Sequence, residues 1–338
     1  MTADTKTPTV KRFGLVADIG GTNVRFAQVD LEAPQPEIDS LRFLSTRGHP
    51  DIVAAAKAYL RDAGLHAPPS ALVFAVAGPV ENNEIHLTNA GWRISTEELR
   101  EGLGAPYARL VNDFEAVAQA VPHLQEHDLA AIGPSSRFDP HGDGTIAIVG
   151  PGTGLGVAGL VNADDAHIAL VTEGGHAAFA PTDELEMRLV EILMRKFGRV
   201  SAERILSGPG LLNLYGAMAE IDDFTADDRT PESITQIARG DPSSFEANVF
   251  ARFCAILGSV AGDIALTMGA RQGVLIGGGI LPDAAGLLAA SRFRERFEDK
   301  ARFRDYMRAI PTSLILQPHA GLIGAASILL LACGNTTQ

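Results

Sequence analysis

Two short stretches concentrate the residue types that handle phosphate. Asp18–Val29 reads D-I-G-G-T-N-V-R-F-A-Q-V, and Gly150–Val161 reads G-P-G-T-G-L-G-V-A-G-L-V. Each follows an apolar run, Phe13–Ala17 or Thr145–Val149, and passes through a glycine-rich turn into a second run suited to a strand. Small residues let the backbone approach a ligand closely, and consecutive N–H groups in such a turn form an anion-binding concavity. One such turn is as readily a plain tight turn. Two of them, with a third cluster at Gly277, Gly278 and Gly279, point to a nucleotide gripped through backbone amides. The candidate phosphate contacts are Asp18, Ile19, Gly20, Gly21, Thr22, Asn23 and Arg25 in the first turn, and Gly152, Thr153 and Gly154 in the second. A Walker A loop is excluded, because neither turn contains a lysine. A dinucleotide fingerprint is a weak reading, because the residues after Gly156 favour a strand over a helix.

Asp18 closes a buried strand beside the first turn. A carboxylate alone would repel phosphate. It makes sense as a holder of Mg²⁺, through water, because Mg²⁺ keeps several waters and binds few carboxylates. A capped turn is the plainer alternative.

A chain of 338 residues has room for two domains to position those residues. It is 46% hydrophobic and 20% charged, an ordinary globular balance. Its net charge of −13 argues against a nucleic-acid or anionic-membrane partner. Two cysteines, Cys254 and Cys333, exclude a disulfide framework and a four-cysteine zinc site. The N-terminal stretch has no apolar signal-peptide core, and Leu322–Cys333 is too short to span a bilayer. A cytoplasmic protein without a membrane partner is expected.

Strands are expected at Phe13–Ile19, Val24–Asp30, Leu41–Thr46, Ala71–Ala77, Ala108–Val111, His167–Thr172, Gln272–Ile276 and Thr312–Leu316, with a second glycine hairpin around Gly150. Helices are expected at Asp51–Ala63, from Ser95 to about Gly102, and at Phe114–Ala120, Asp183–Phe197, Ser201–Leu206, Leu211–Ile221, Phe245–Ala270, 292–308 and Ala320–Leu331. Ala71–Ala77 is continuously apolar, the mark of a sheet covered on both faces. Alternating strands and helices indicate an α/β class with mixed sheets, and the paired glycine hairpins indicate a duplicated core.

Six segments then occur in a fixed order: D-I-G-G-T-N-V-R-F-A, L-V-N-D-F-E-A-V-A, G-P-G-T-G-L-G-V-A, E-G-G-H-A-A-F-A-P, S-A-E-R-I-L-S-G-P-G and G-G-G-I. Together they resemble the ATP-dependent bacterial glucokinases, members of the superfamily that joins hexokinase, actin and the heat-shock chaperone ATPases. The likeness runs from about residue 13 to 330. The related ROK sugar kinases usually carry a cysteine-rich zinc motif after a comparable E-x-G-H. No cysteine lies between Glu173 and Cys254 here, which favours the non-ROK branch.

The resemblance implies a two-domain actin-like ATPase fold, ribonuclease H-like, with duplicated mixed β-sheets flanked by helices. It implies a small domain of 13–120 plus 314–333 and a large domain of 121–313, closing over the sugar, in a homodimer. It implies ATP and Mg²⁺ as cofactors, glucose as acceptor, and Gly277–Gly279 lying against the adenosine. Asp113 matches the aspartate that takes the proton of the sugar 6-hydroxyl. From the dipeptide alone, Asn112-Asp113 is as well read as a helix cap. Asn112, Glu173, His176 and Glu203 match sugar-binding positions, with Asn89 a weaker candidate. A sugar presents many hydroxyls, so a discriminating pocket needs amides, carboxylates and imidazoles in fixed places. Trp92 could line such a pocket or simply pack in the core. Rival readings are a kinase for another hexose, a polyphosphate-dependent kinase and a non-catalytic sugar-sensing regulator. A metal site at Glu173 and His176 has no obvious third ligand.

Overall fold

A computed structural model describes residues 12–87, 90–134, 138–164 and 166–334. In chain order the strands are β1 (Phe13–Ile19), β2 (Asn23–Asp30), β3 (Ile38–Ser45), β4 (Ala71–Val76), β5 (Glu84–Leu87), β6 (Trp92–Ser95), β7 (Ala108–Asn112), β8 (Leu129–Ala131), β9 (Gly144–Pro151), β10 (Leu155–Ala163), β11 (Ala166–Val171), β12 (Gly273–Ile276) and β13 (Thr312–Ile315). The helices are α1 (Ile52–Asp62), α2 (Thr96–Leu103), α3 (Asp113–Ala120), α4 (Glu184–Phe197), α5 (Gly208–Ile221), α6 (Pro231–Gly240), α7 (Phe245–Met268), α8 (Ala285–Ala290), α9 (Phe293–Glu298), α10 (Arg304–Arg308) and α11 (Ala320–Ala332). The chain divides into two compact units, residues 1–123 with 319–338, and residues 124–318.

The first unit is built on a five-stranded sheet in the order β3-β2-β1-β4-β7. β1, β2 and β3 pair antiparallel, while β1, β4 and β7 run parallel. Successive β1 side chains point to opposite faces. Phe13, Leu15, Ala17 and Ile19 join Tyr59 of α1 and Leu99 of α2 in one cluster, and Val16 joins Leu322, Ala325 and Leu329 of α11 in another. Two of this unit's helices start at side-chain caps. Asp51 Oδ1 accepts the Ala54 N–H at 2.7 Å to cap α1, and Ser95 Oγ caps α2 through Glu98.

The second unit holds a six-stranded sheet in the order β11-β10-β9-β12-β13-β8. Its first five strands repeat the pairing senses of the first sheet: antiparallel, antiparallel, parallel, parallel. The glycine hairpins are therefore β1–β2 and β9–β10, the same place in each half, as the sequence echo anticipated. α7 lies in the core of this unit, with Phe250, Phe253, Cys254 and Leu257 fully or almost fully buried. Among the described residues it is the helix long and apolar enough to cross a membrane, and most of it is buried in this core. Buried Arg296 of α9 donates to buried Glu186 of α4 at 2.7 Å, and Arg252 of α7 donates to Asp183 at 2.6 Å. Neither buried charge is left unpaired, which would be strongly destabilising.

Several expectations change. Ser201–Leu206 forms only a 3₁₀ turn at Ala202–Arg204, and the S-G-P-G segment at 207–210, which separates the two helices expected from the sequence, is not a loop. Ser207 caps α5 through Gly210, with proline in the first turn, so the helix begins at Gly208. Residues 292–308 break into α9, a 3₁₀ turn and α10. α6 follows the acidic stretch Asp222–Arg229 and is opened by a Thr230–Ser233 capping box with no counterpart among the expected helices. A boundary between 313 and 314 would cut β13, which pairs with β12 and β8, so the chain leaves the second unit only after Pro318.

Candidate active site

In the first unit the parallel register sets Ile19 beside Val76, and Val76 beside Asn112. The C-terminal ends of β1, β4 and β7 thus present the D-I-G-G-T-N turn, Gly78 and Asn112-Asp113 along one edge of the sheet. Open α/β sheets bind ligands at that end of their strands. Gly20 N–H donates to Asn23 carbonyl at 3.0 Å and closes the turn, leaving Thr22 and Asn23 exposed. Ile19 is buried in the core, so any contact it makes with a nucleotide is through backbone.

Asp18 lies on the face of β1 that meets α11, and a Cβ added to Gly321 would stand 3.6 Å from its carboxylate. Arg25, directly opposite in the hairpin register, donates to Asp18 Oδ2 at 2.9 Å. Burial raises the Asp18 pKa above the usual carboxylate value, and Arg25 and His319 oppose the rise. The Arg25 guanidinium also stands 5.7 Å from the ring centre of Phe43, which in turn neighbours His319. The H-A-G opening of α11 is a part of this site that reading Ala320–Leu331 as a closing helix had missed. The only signal for it was a glycine in the first turn of an apolar helix.

Asn112 caps α3. Its Oδ1 accepts the N–H groups of Phe114 and Glu115 at 2.8 and 3.2 Å, and its Nδ2 donates to Gly78 carbonyl at 3.1 Å. The capping alternative therefore holds for Asn112, and one amide hydrogen is left for a ligand. Asp113 is the first residue of α3, with Oδ1 accepting the Phe114 N–H at 3.0 Å. Asn89 lies outside the described residues. Trp92 is buried in the core cluster that also holds residues of α1 and α2.

In the second unit three more candidates converge. His176 Nε2 lies 3.8 Å from Glu173 Oε2, and His176 Nδ1 lies 3.9 Å from Glu203 Oε1. At those distances neither contact is a hydrogen bond, so all three side chains keep capacity for hydroxyl groups. The E-G-G-H turn is held against β10 by its glycines, since a Cβ at Gly175 would fall 2.1 Å from Leu155 carbonyl. Among the described residues, no group of three or more histidine, cysteine or acidic side chains is arranged to hold a metal ion.

The second glycine turn is built around Glu203. Its Oε2 accepts the Leu155 N–H at 2.9 Å, and a Cβ at Gly154 would come 2.5 Å from the same oxygen. Gly152 N–H donates to Gly154 carbonyl at 2.8 Å, and Gly208 N–H to Gly152 carbonyl at 2.7 Å. The third cluster packs on this turn. Gly278 has φ +84° and would drive a Cβ to 2.2 Å from Pro151 carbonyl. Gly277–Gly279 thus joins Gly152, Thr153 and Gly154 at one end of the sheet.

Duplicated sheets, each with a glycine hairpin at the same place, define the actin-like ATPase fold, here in its sugar-kinase form. A glucokinase crystal structure from an Antarctic psychrotroph superposes with a TM-score of 0.81 at 36% identity, covering 94% of this chain and 98% of that one. A ROK family glucokinase from Streptomyces griseus, solved with glucose and AMPPNP, shares the fold at 20% identity, with a TM-score of 0.63 over 94% of this chain and 99% of that one. In sequence, the family model described as Glucokinase matches residues 15–332. The glucokinase of Caulobacter sp. (strain K31) is 46% identical over 313 residues, 93% of this chain and 94% of its own length. The chain belongs to the glucokinase family, whose phosphate donor is ATP.

Proposed function

We propose that this chain transfers the γ-phosphoryl group of ATP to the 6-hydroxyl of D-glucose. The observation that carries this reading is the Glu173, His176 and Glu203 cluster, set against the second glycine turn by the bond from Leu155 N–H to Glu203. Groups suited to reading several hydroxyls stand next to a loop suited to phosphate. The first unit carries the remaining parts: the D-I-G-G-T-N turn, Asp18 and Asp113.

Phosphoryl transfer asks the protein mainly for positioning and charge stabilisation. Asp113 accepts the proton as O6 attacks; the O6–P bond forms, the bond from Pγ to the β–γ bridging oxygen breaks, and ADP leaves. The Asn112 cap and its bond to Gly78 hold the start of α3, and so the Asp113 backbone, in place. Backbone amides of the two turns hold the donor phosphates. Asp18 fits a Mg²⁺ ion held mainly through water, because it offers a single, partly exposed carboxylate with one oxygen already engaged by Arg25. Bound there, Mg²⁺ would neutralise charge on the phosphate oxygens. The proposal includes a homodimer, to be checked by light scattering, and a cytoplasmic site of action, where ATP is supplied.

A coupled ADP-release assay over a panel of hexoses tests the reading, with glucose expected to be preferred. No ADP release with any hexose would overturn it. In the same assay Asp113→Asn is expected to lower kcat by ~10²–10⁴-fold. Glucose affinity measured by calorimetry should stay within a few-fold. Near-normal turnover would remove Asp113 from the base role.

A further inference from the structure

We propose that Glu203 links sugar occupancy to the second phosphate turn, so that glucose bound at this carboxylate raises the affinity of the site for the nucleotide. The inference rests on the function proposed above and deepens it.

Glu203 uses its two oxygens in different directions. Oε2 is committed to the N–H of Leu155, the residue that ends the G-T-G turn. Oε1 faces the imidazole of His176 across 3.9 Å, with the side chain 31% exposed, and is open to a hydroxyl donor. A carboxylate moves as one rigid plane. A sugar hydroxyl that fixes Oε1 therefore also fixes Oε2 on the turn.

Otherwise the turn is braced by backbone contacts: its own Gly152–Gly154 bond, the Gly208 N–H and the close packing of Gly278. Gly152 N–H is used internally and Leu155 N–H is used by Glu203. The N–H groups of Thr153 and Gly154 have no acceptor among the described residues and are the two left for a phosphate oxygen. Their direction is set by the residues on either side, and one of those anchors is Glu203. The backbone behind Glu203 is braced as well. Ser207 Oγ donates to Glu203 carbonyl at 2.9 Å, and the next residue, Gly208, donates to Gly152 carbonyl. The 203–208 segment is thus stapled to the turn at two points, one through a side chain that a ligand can reach.

The same contact explains Gly154. No left-handed backbone angle requires glycine there, but a Cβ would stand 2.5 Å from Glu203 Oε2. Glycine at 154 is what lets the carboxylate reach the turn. Gly154→Ala therefore perturbs the link from the side away from the sugar.

The test is calorimetric titration of the full-length protein with a non-hydrolysable ATP analogue and Mg²⁺, with and without saturating glucose. The ratio of the two affinities is the readout, because a purely structural brace would change both equally. In the wild type glucose should tighten the analogue by roughly 5- to 150-fold, the usual range of coupling between two sites. By reciprocity the analogue should tighten glucose by the same factor. Gly154→Ala and Glu203→Ala should bring the ratio close to one. Glu203→Gln keeps an oxygen for the Leu155 N–H and should retain most of the ratio, even where glucose itself binds more weakly. If Gly154→Ala does not fold, the contrast between Glu203→Gln and Glu203→Ala decides the matter. A wild-type ratio near one, or a full ratio in Glu203→Ala, overturns the proposal. Neither result depends on turnover, so failure of the kinase reading is recognised separately, by wild-type protein that makes no glucose 6-phosphate.

Discussion

Asp18, the proposed Mg²⁺ holder, sits where stability alone would not put a carboxyl. Its carboxyl is partly withdrawn from water on the face of β1 that meets α11, and the Arg25 guanidinium, with His319, opposes the cost. A carboxylate whose folded pKa lies above its unfolded value binds protons more tightly in the native state. Its contribution to stability is greatest below the unfolded value of 3.8 and is lost as pH rises through the raised folded value. Asp18→Asn is therefore expected to melt no lower than the wild type near neutral pH. The difference in melting temperature, variant minus wild type, should grow as pH rises through that window, while ATP-dependent turnover falls. A difference that stays flat with pH would mean that the Asp18 carboxyl is not perturbed in this way. That a partly buried carboxyl faces an arginine seven residues on was open to inference from the hairpin register. That the third wall is the start of α11, some three hundred residues away in the chain, was not, because no local pattern encodes a contact of that range.

At the scale of elements, close backbone approach does most of the positioning, and glycines report where it occurs. α11 crosses α3 at Gly324, where an added Cβ would fall 1.6 Å from Ala116 carbonyl. α3 also carries Asp113 at its first position. Gly324→Ala must push the two helices apart, and is expected to destabilise by at least ~1–3 kcal/mol. Gly216, exposed on α5, meets nothing within 4 Å. Gly216→Ala is expected to stabilise by about 1 kcal/mol, the helix-propensity difference between the two residues. Urea unfolding of both variants checks the pair, and equal effects would show that packing at Gly324 is looser than described. The contrast also marks what sequence could reveal. Apolar runs bounded by glycine located β1, β4 and β12 to within a residue or so, because strands covered on both faces leave a nearly continuous apolar signature. The S-G-P-G segment was misread because glycine and proline signal both turns and helix starts. Only the Ser207 hydroxyl accepting the Gly210 N–H settles which. The placement of β13 between β12 and β8 depends on pairing across the sheet, which no single segment carries.

For the whole molecule, duplication and charge combine into a prediction about the donor. Both sheets repeat one strand order and put a glycine hairpin at the same point, and neither hairpin contains a lysine. The proposed phosphate-binding apparatus is thus mostly neutral backbone, with Arg25 as the cation of the first hairpin and already engaged by Asp18. It sits in a chain of net charge −13. A short triphosphate can be held by a few amides in a local concavity. A long polyphosphate needs favourable charge along its length, and here most of that length would lie in an unfavourable field. ATP should therefore outperform long-chain polyphosphate by roughly tenfold or more in kcat/KM at low salt, a scale typical of electrostatic steering. The gap should narrow as added salt screens the repulsion. Glucose 6-phosphate formation, rather than ADP release, is the readout that treats both donors alike. Equal use of polyphosphate at low salt would require a basic track on this surface, contrary to the charge argument. A preference for ATP that stays constant with salt would instead place the discrimination in contacts to the adenosine, with the Gly277–Gly279 loop as the first place to test it.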